Sequence, residues 1–166
     1  IHRVIIDPNN PNTLYVAAIG NPYAQHPERG VYKTTDGGET WNRILYANDT
    51  TGCAELVMDP SNPNKLIASM WQHYRLPWRM KSGGPGSGMY ITIDGGKNWK
   101  KLSKEDGLPE GSIGRIGIAF ARSMPSRVYA KIEAAIKGLY KSDDGGFKWQ
   151  LVNSNAADVT DRPFYY

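Results

Sequence analysis

The chain has 166 residues with 18 glycines and 11 prolines, a composition that favours many short strands over long helices. Its formal net charge is +4, and lysine and arginine are scattered along the sequence, which argues against binding to nucleic acid or to a membrane surface. The lone cysteine, Cys53, excludes an intrachain disulfide and a cysteine-based zinc site. No apolar run is long enough to span a bilayer. We therefore expect an all-β protein with no metal and no cofactor.

The first element in chain order is a strand, turn and strand unit that recurs twice. Its three copies are IIDPNNPNTLYVAA (5–18), LVMDPSNPNKLIAS (56–69) and IAFARSMPSRVYAK (118–131). Proline and asparagine make the turn, and apolar residues on both sides supply the strands. The third copy has Ala121 where the others have Asp7 and Asp59. We call this connection the Asp-Pro turn.

A second unit follows each Asp-Pro turn and also occurs three times, as KTTDGGETW (33–41), YITIDGGKNW (90–99) and YKSDDGGFKW (140–149). In each copy a hydroxyl residue precedes an aspartate by two positions, a glycine follows two later, and a tryptophan closes the unit. These residues are Thr34, Asp36, Gly38, Trp41, Thr92, Asp94, Gly96, Trp99, Ser142, Asp144, Gly146 and Trp149. An aspartate before Gly-Gly predicts the tight turn of a β-hairpin. The carboxylate can accept hydrogen bonds from backbone amides of the turn, and glycine adopts positive φ without steric cost. We call this unit the aspartate clip and expect its role to be structural, with each indole buried.

Together the two units make a module of four antiparallel strands that repeats about every fifty residues, as a β-propeller blade requires. The predicted fold is an all-β propeller fragment of about three blades, at 1–46, 52–103 and 113–152, with 153–166 leading into a further blade. A ring needs about four to eight blades. The expected partners are therefore the remaining blades of a longer chain, or self-association.

The clip resembles the Asp-box, also called the bacterial neuraminidase repeat. That repeat occurs in sialidases, xyloglucan-cleaving enzymes, photosystem assembly factors and the sortilin-type receptor domain. The phrases GVYKTTDGGETW, LVMDPSNPN, SGGPGSGMY, GRIGIAFA and DRPFYY most resemble large bacterial sortilin-like repeat proteins, often described only as glycosyl hydrolases. The resemblance implies a segment of an exported protein, secreted or periplasmic.

Strand parity places the clips and the Asp-Pro turns on one face of the propeller, and the variable loops on the other. Three loops stand out on that second face, at 20–30, 71–88 and 158–166. The second loop is the strongest candidate for ligand contact, because aromatic rings interleaved with arginines stack on ligands and pair with carboxylates. Its candidate residues are Trp71, His73, Tyr74, Arg75, Trp78 and Arg79. The alternative is that Trp71 and Trp78 fill contacts with neighbouring loops or domains.

Two functions remain open on the sequence alone. The first is a non-catalytic propeller that binds a peptide, a protein or a glycan. The alternative is a fragment of a sialidase-like or xyloglucanase-like glycoside hydrolase, which needs two carboxylates about 5 to 10 Å apart. Glu28, Glu55, Glu133 and Asp161 are available, but no two of them pair by sequence, so the alternative places catalytic carboxylates partly outside this segment.

Overall fold

The computed structural model describes residues 1–155 and confirms the all-β propeller class, with three antiparallel sheets in chain order. A single turn of 3-10 helix, Lys104–Asp106, interrupts the strands in this part of the chain. This three-residue turn is the only helix among residues 1–155, and it is far too short to cross a membrane. The sequence predictions for 156–166, including Asp161 and most of the lead-in to a further blade, lie outside the described residues.

Each sheet follows the chain as an antiparallel meander, and the second sheet has one additional short strand off this path. The first sheet is β1(Arg3–Asp7), β2(Asn10–Ala18), β3(Gly30–Thr34) and β4(Asn42–Leu45). The second contains β5(Thr51–Asp59), β6(Asn62–Leu76), β7(Arg79–Ser82), β8(Gly88–Thr92) and β9(Lys100–Lys101). The third is β10(Ile116–Phe120), β11(Val128–Ile132), β12(Gly138–Ser142) and β13(Gln150–Asn153). Two apolar clusters fill the space between successive sheets.

The clips and the Asp-Pro turns share one face of the molecule. In every blade a clip glycine amide donates to a carbonyl in or beside the Asp-Pro turn of the same blade. These hydrogen bonds run from Gly37 to Asn12 (2.9 Å), from Gly95 to Asn64 (2.8 Å) and from Gly145 to Ser126 (2.6 Å). The connections between second and third strands therefore lie together on the opposite face.

Hydrogen bonds within the clip explain its sequence. In the second blade Thr92 Oγ1 donates to Asp94 Oδ1 at 2.7 Å and accepts from the Gly96 amide at 3.1 Å. The Asn98 amide and side chain also donate to the carboxylate. These hydrogen bonds hold the pKa of Asp94 well below its usual range, and those from Asn98 contribute most. The first and third clips repeat the arrangement through Thr34, Asp36, Ser142 and Asp144.

The three clip tryptophans differ in burial. Trp149 is 6% exposed, Trp99 is half-buried, and Trp41 is 40% exposed. The third clip lies against the second blade, where a Cβ on Gly146 would sit 2.5 Å from Ile67 Cδ1. No described blade covers the first clip in the same way. The expectation that every indole is buried is therefore wrong for Trp41, because a clip is covered by the neighbouring blade.

The stretch from Trp71 to Ser82 forms a β-hairpin, so the prediction of a loop is wrong here. Strand β6 continues past the blade to Leu76, turns at Pro77 and Trp78, and pairs with β7 from Leu76↔Arg79 to His73↔Ser82. Strand β6 stops pairing with β8 at Met70↔Gly88 and continues beyond that point as the first strand of the hairpin. We call this element the β6–β7 hairpin.

Gly107 lies in the connection between the second and third blades and packs against the backbone of Trp149 in the third clip. We expect Gly107→Ala to destabilise the protein by about 3 kcal/mol. Its φ is +90°, and an added Cβ would meet the Trp149 carbonyl oxygen at 1.8 Å. Gly111 is the matched control, because its φ is +85° and nothing lies within 4 Å of its Cβ position. Denaturant unfolding should show a cost of about 1 kcal/mol for Gly111→Ala. Equal costs for both variants would contradict the close approach.

Candidate ligand-binding cleft

A cleft of about 510 Å³ opens on the face opposite the clips, between loop 19–29 and the β6–β7 hairpin. It joins two of the three loop regions that the sequence singled out. Its lining residues are Tyr23, Ala24, Gln25, Thr50, Gln72, His73, Tyr74 and Lys81. The volume is within the range of about 300 to 1,000 Å³ that small ligands occupy.

One side of the β6–β7 hairpin forms a wall of the cleft. Gln72 and Tyr74 alternate along β6 and so share a side, and Lys81 lies opposite Tyr74 in the register. The Arg75 amide donates to the Pro22 carbonyl at 2.8 Å, which attaches loop 19–29 to the edge of β6. Tyr23, on that loop, is 60% exposed. The cleft thus presents tyrosine rings together with amide and ammonium groups.

Arg29 holds loop 19–29 in place through hydrogen bonds made on the buried side of that loop. Its side chain is fully buried. Its guanidinium donates to the carbonyls of Thr50 at 3.3 Å, of Ala24 at 3.2 Å and of Asn21. Burial lowers the pKa of Arg29, against an opposing contribution from Asp49. Arg29 belongs to the first loop region, 20–30, but the sequence gives no sign of this buried role, since its partners are backbone carbonyls.

His73 lines the cleft but is almost fully buried, so its ring also packs against the interior of the protein. Its ring stacks on Trp71 with 4.2 Å between centroids, and its Nδ1 lies 3.4 Å from Arg29 Nη1. Trp71 is only 5% exposed and donates from Nε1 to Ser82 Oγ at 2.9 Å. Ser82 in turn donates to Glu133 Oε2 at 2.8 Å, which ties the hairpin to the third blade. Trp71 therefore packs behind the cleft wall.

The other hairpin candidates lie near its tip. Trp78 is 81% exposed in the turn, and Arg75 and Arg79 are exposed on either side of it. The structure thus brings His73 and Tyr74 into the cleft and places Trp78, Arg75 and Arg79 beyond its lining. Gln25, Gln72 and Thr50 line the cleft and were missed, because polar residues in a connection carry no distinguishing sequence signal.

Protonation of His73 is expected to weaken the region around the cleft. Burial lowers the pKa of His73 to about 4, reinforced by Arg29 and Arg115 and opposed by the Trp71 carbonyl. The folded state therefore binds its proton less tightly than the unfolded state, and stability falls as the pH drops from 6.5 towards 4. We expect a loss of about 2 kcal/mol between pH 7 and pH 5.

Hydrogen exchange of the β6 amides at both pH values measures this loss. A His73→Gln variant serves as control, because it removes the titrating ring while the carboxylates of the protein remain. The protein should lose about 2 kcal/mol more than the variant over this pH range. An identical pH dependence in the two proteins would contradict the low pKa of His73.

The candidate carboxylates do not meet in the cleft. Glu55 forms an ion pair with Arg3 at 2.9 Å, and Glu133 accepts hydrogen bonds from Ser82 and from the Arg115 amide. Glu28 faces a different depression on the outer side of the first blade. None of the residues that line the cleft is a carboxylate. Within residues 1–155 no three histidine, cysteine or acidic side chains are grouped so as to hold a metal ion.

Comparison with known proteins identifies the repeat. The BNR/Asp-box repeat model matches residues 32–43 and 90–101, which are the first and second clips. The third clip lies outside these matches but has the same hydroxyl, carboxylate and glycine hydrogen bonds. The resemblance to Asp-box propellers is thereby confirmed.

Two kinds of relative share this chain's sequence pattern. Xyloglucanase Xgh74A of Acetivibrio thermocellus is 25% identical over 175 residues, covering 92% of this chain and 20% of the relative. Photosystem II assembly lipoprotein Ycf48 of Synechococcus sp. (strain CC9902) is 28% identical over 130 residues, covering 78% of this chain and 32% of the relative. The chain thus spans a fifth to a third of the length of these relatives.

Solved structures show the same fold. An ancestral GH74 enzyme superposes with a TM-score of 0.64 at 20% identity, over 94% of this chain and 19% of the enzyme. The GH74 xyloglucanase of Xanthomonas campestris gives a TM-score of 0.57 at 20% identity, over 93% of this chain and 24% of the enzyme. The chain therefore has the fold of part of a GH74-type propeller, and the sortilin-like assignment stays a prediction.

Proposed function

We propose that this chain, whose Asp-box repeats build three blades of a β-propeller, is a glycan-binding segment of a larger exported protein. The observation that carries the proposal is the cleft itself, lined by tyrosines and amide side chains and by no carboxylate. A site that binds without cleaving needs surfaces for sugar rings and donors for hydroxyl groups. It does not need the pair of carboxylates that glycoside hydrolysis requires.

The side chains of the cleft suit a sugar. Tyr23 and Tyr74 supply flat apolar faces with a hydroxyl at the edge. Gln25 carries both a donor and an acceptor, and Gln72, whose Oε1 accepts the Gly86 amide at 3.1 Å, carries a side-chain amide donor. Burial of Arg29 and the backbone bond from Arg75 to Pro22 hold the two walls in place before a ligand arrives, which lowers the entropic cost of binding.

A glycoside hydrolase is the second candidate, and the similarity to xyloglucanases over more than 90% of this chain favours it. In that case the cleft positions the glycan, and the catalytic carboxylates belong to parts of the protein outside residues 1–155. Such an enzyme would use the same tyrosines for binding. The two candidates therefore differ in whether the bound glycan is cleaved.

Calorimetric titration of the intact protein with xyloglucan and pectin oligosaccharides tests the proposal. Tyr23→Ala and Tyr74→Ala should each weaken binding at least tenfold, because each variant removes a ring that contacts the ligand. Ile93→Ala is the control, since Ile93 is 62% exposed and belongs to the second clip on the opposite face. Unchanged affinity in both tyrosine variants would refute glycan binding in this cleft.

Release of reducing ends during the same incubation separates the two candidates. The non-catalytic proposal predicts binding with no new reducing ends. Cleavage that continues in the tyrosine variants with a raised KM would instead establish the hydrolase, with the cleft as its substrate-binding part.

A further inference from the structure

We infer that the ligand of the cleft is an anionic glycan, with carboxylates along its chain, rather than a neutral one such as xyloglucan. The inference rests on the proposed glycan-binding function and adds the charge of the ligand. It comes from the positions of the cations on the β6–β7 hairpin.

The hairpin carries cations on the side that faces the cleft. Lys81 lines the cleft, and Arg79 precedes it by two residues on the same strand, so both side chains point to the same side. Their Cα atoms are about 7 Å apart along the strand. Arg79 and Lys81 are exposed, so both are accessible to a ligand that extends from the cleft along β7.

The tip of the hairpin adds an aromatic ring. Trp78 is 81% exposed and directly precedes Arg79 in the chain. Arg75 is also exposed, but it lies opposite Met80 in the register and therefore points to the other side of the hairpin. Residues 71–82 contain two arginines, one lysine and no acidic residue. A glycan that leaves the cleft in this direction would meet an indole face flanked by arginine, a combination that suits a sugar ring bearing a carboxylate.

Two carboxylates belong to the surroundings of the cleft and lie outside its lining. Asp49 accepts a hydrogen bond from the Tyr46 hydroxyl and acts electrostatically on the buried Arg29. Glu133 is bonded behind the hairpin to Ser82. The buried Arg29 guanidinium lies behind His73 in the cleft wall and adds positive potential there. Because Lys81 is the charged residue of the lining and no carboxylate is among the lining residues, the cleft favours a ligand of negative charge.

The expected preference is about tenfold, because a few solvent-exposed charge pairs each contribute little and act together. Salt should reduce the preference, since the Debye length shortens to about 3 Å at 1 M ionic strength. Binding to a neutral glycan would show almost no such salt dependence.

Calorimetry with the intact protein and two forms of one polymer tests the inference. Polygalacturonate oligosaccharides carry a carboxylate on every sugar, and their methyl esters have the same backbone without the charge. We expect polygalacturonate to bind about tenfold more tightly than its methyl ester in low salt. Equal binding of the two, or tighter binding of xyloglucan, would overturn the inference and leave the proposed function standing. Binding of none of the three glycans would refute the proposed function itself.

Charge-removing variants locate the effect. An Arg79→Gln, Lys81→Gln double variant should lose most of the preference for polygalacturonate over its methyl ester, because Arg29 is the cation that remains in the cleft wall. Lys97→Gln, in the second clip on the opposite face, should keep the preference of the unaltered protein. If the Lys97 variant lost the preference for polygalacturonate, the preference would come from the net charge of the protein, and the role of the hairpin would be overturned. Binding of polyglutamate as tight as that of polygalacturonate would overturn selection of a glycan.

Discussion

Trp149→Ala is expected to cost about 3 to 5 kcal/mol of stability, the range for truncating a buried aromatic side chain. Its indole is 6% exposed within the cluster between the second and third blades, and its Nε1 donates to the Gly146 carbonyl at 2.9 Å. The variant would leave a cavity at the contact between two blades and remove the group that closes the third clip. Denaturant unfolding of the 166-residue chain measures the effect.

Trp41 provides the comparison within the same chain, because it occupies the equivalent clip position with its indole 40% exposed. Trp41→Ala should cost about 1 kcal/mol or less, as substitutions at exposed positions usually do. Equal costs for the two variants would contradict the conclusion that a clip is buried by the neighbouring blade. If Trp41→Ala cost more stability in the intact protein than in the 166-residue chain, another blade would cover the first clip there.

Arg29→Met should cost about 3 kcal/mol and also weaken ligand binding. The variant keeps an apolar side chain of similar length but leaves the carbonyls of Asn21, Ala24 and Thr50 without their donor. Each buried group that loses its partner costs about 1 to 3 kcal/mol. Loop 19–29 would then lose its attachment, and faster hydrogen exchange in this loop would report the change.

Arg43→Met is the matched control for Arg29→Met. Arg43 also donates to a carbonyl of loop 19–29, that of Pro27, but its side chain is exposed and water can replace the bond. Its loss should therefore cost well under 1 kcal/mol. If both arginine variants gave the same small effect, the buried guanidinium would not be what holds the cleft wall.

The fold was predictable from the sequence because every blade repeats two local patterns. An aspartate before two glycines specifies the clip through its own hydrogen bonds, and apolar residues on both sides specify the strands. The meander then follows from short connections. What the repeat could not specify is burial, since Trp41 and Trp149 occupy the same motif position and differ in whether a described blade covers them.

The site was only partly predictable. Sequence reasoning selected the aromatic and basic stretch at 71–88 but predicted a loop, because its prolines and the cluster of glycines at its end favour a connection over a strand. Placing Tyr23 beside Tyr74 requires knowing that loop 19–29 folds onto β6 of the next blade. That contact depends on the buried Arg29 and on a backbone hydrogen bond, neither of which leaves a local sequence pattern.

Hydroxyl-radical footprinting of the intact protein, with and without a saturating polygalacturonate or xyloglucan oligosaccharide, tests glycan binding in the cleft most directly. The proposal predicts reduced labelling of Tyr23 and Tyr74 when glycan is bound. Labelling of Ile93, on the clip face, should stay unchanged. Binding of either oligosaccharide without protection of the two tyrosines would contradict the assignment of the cleft as the glycan site.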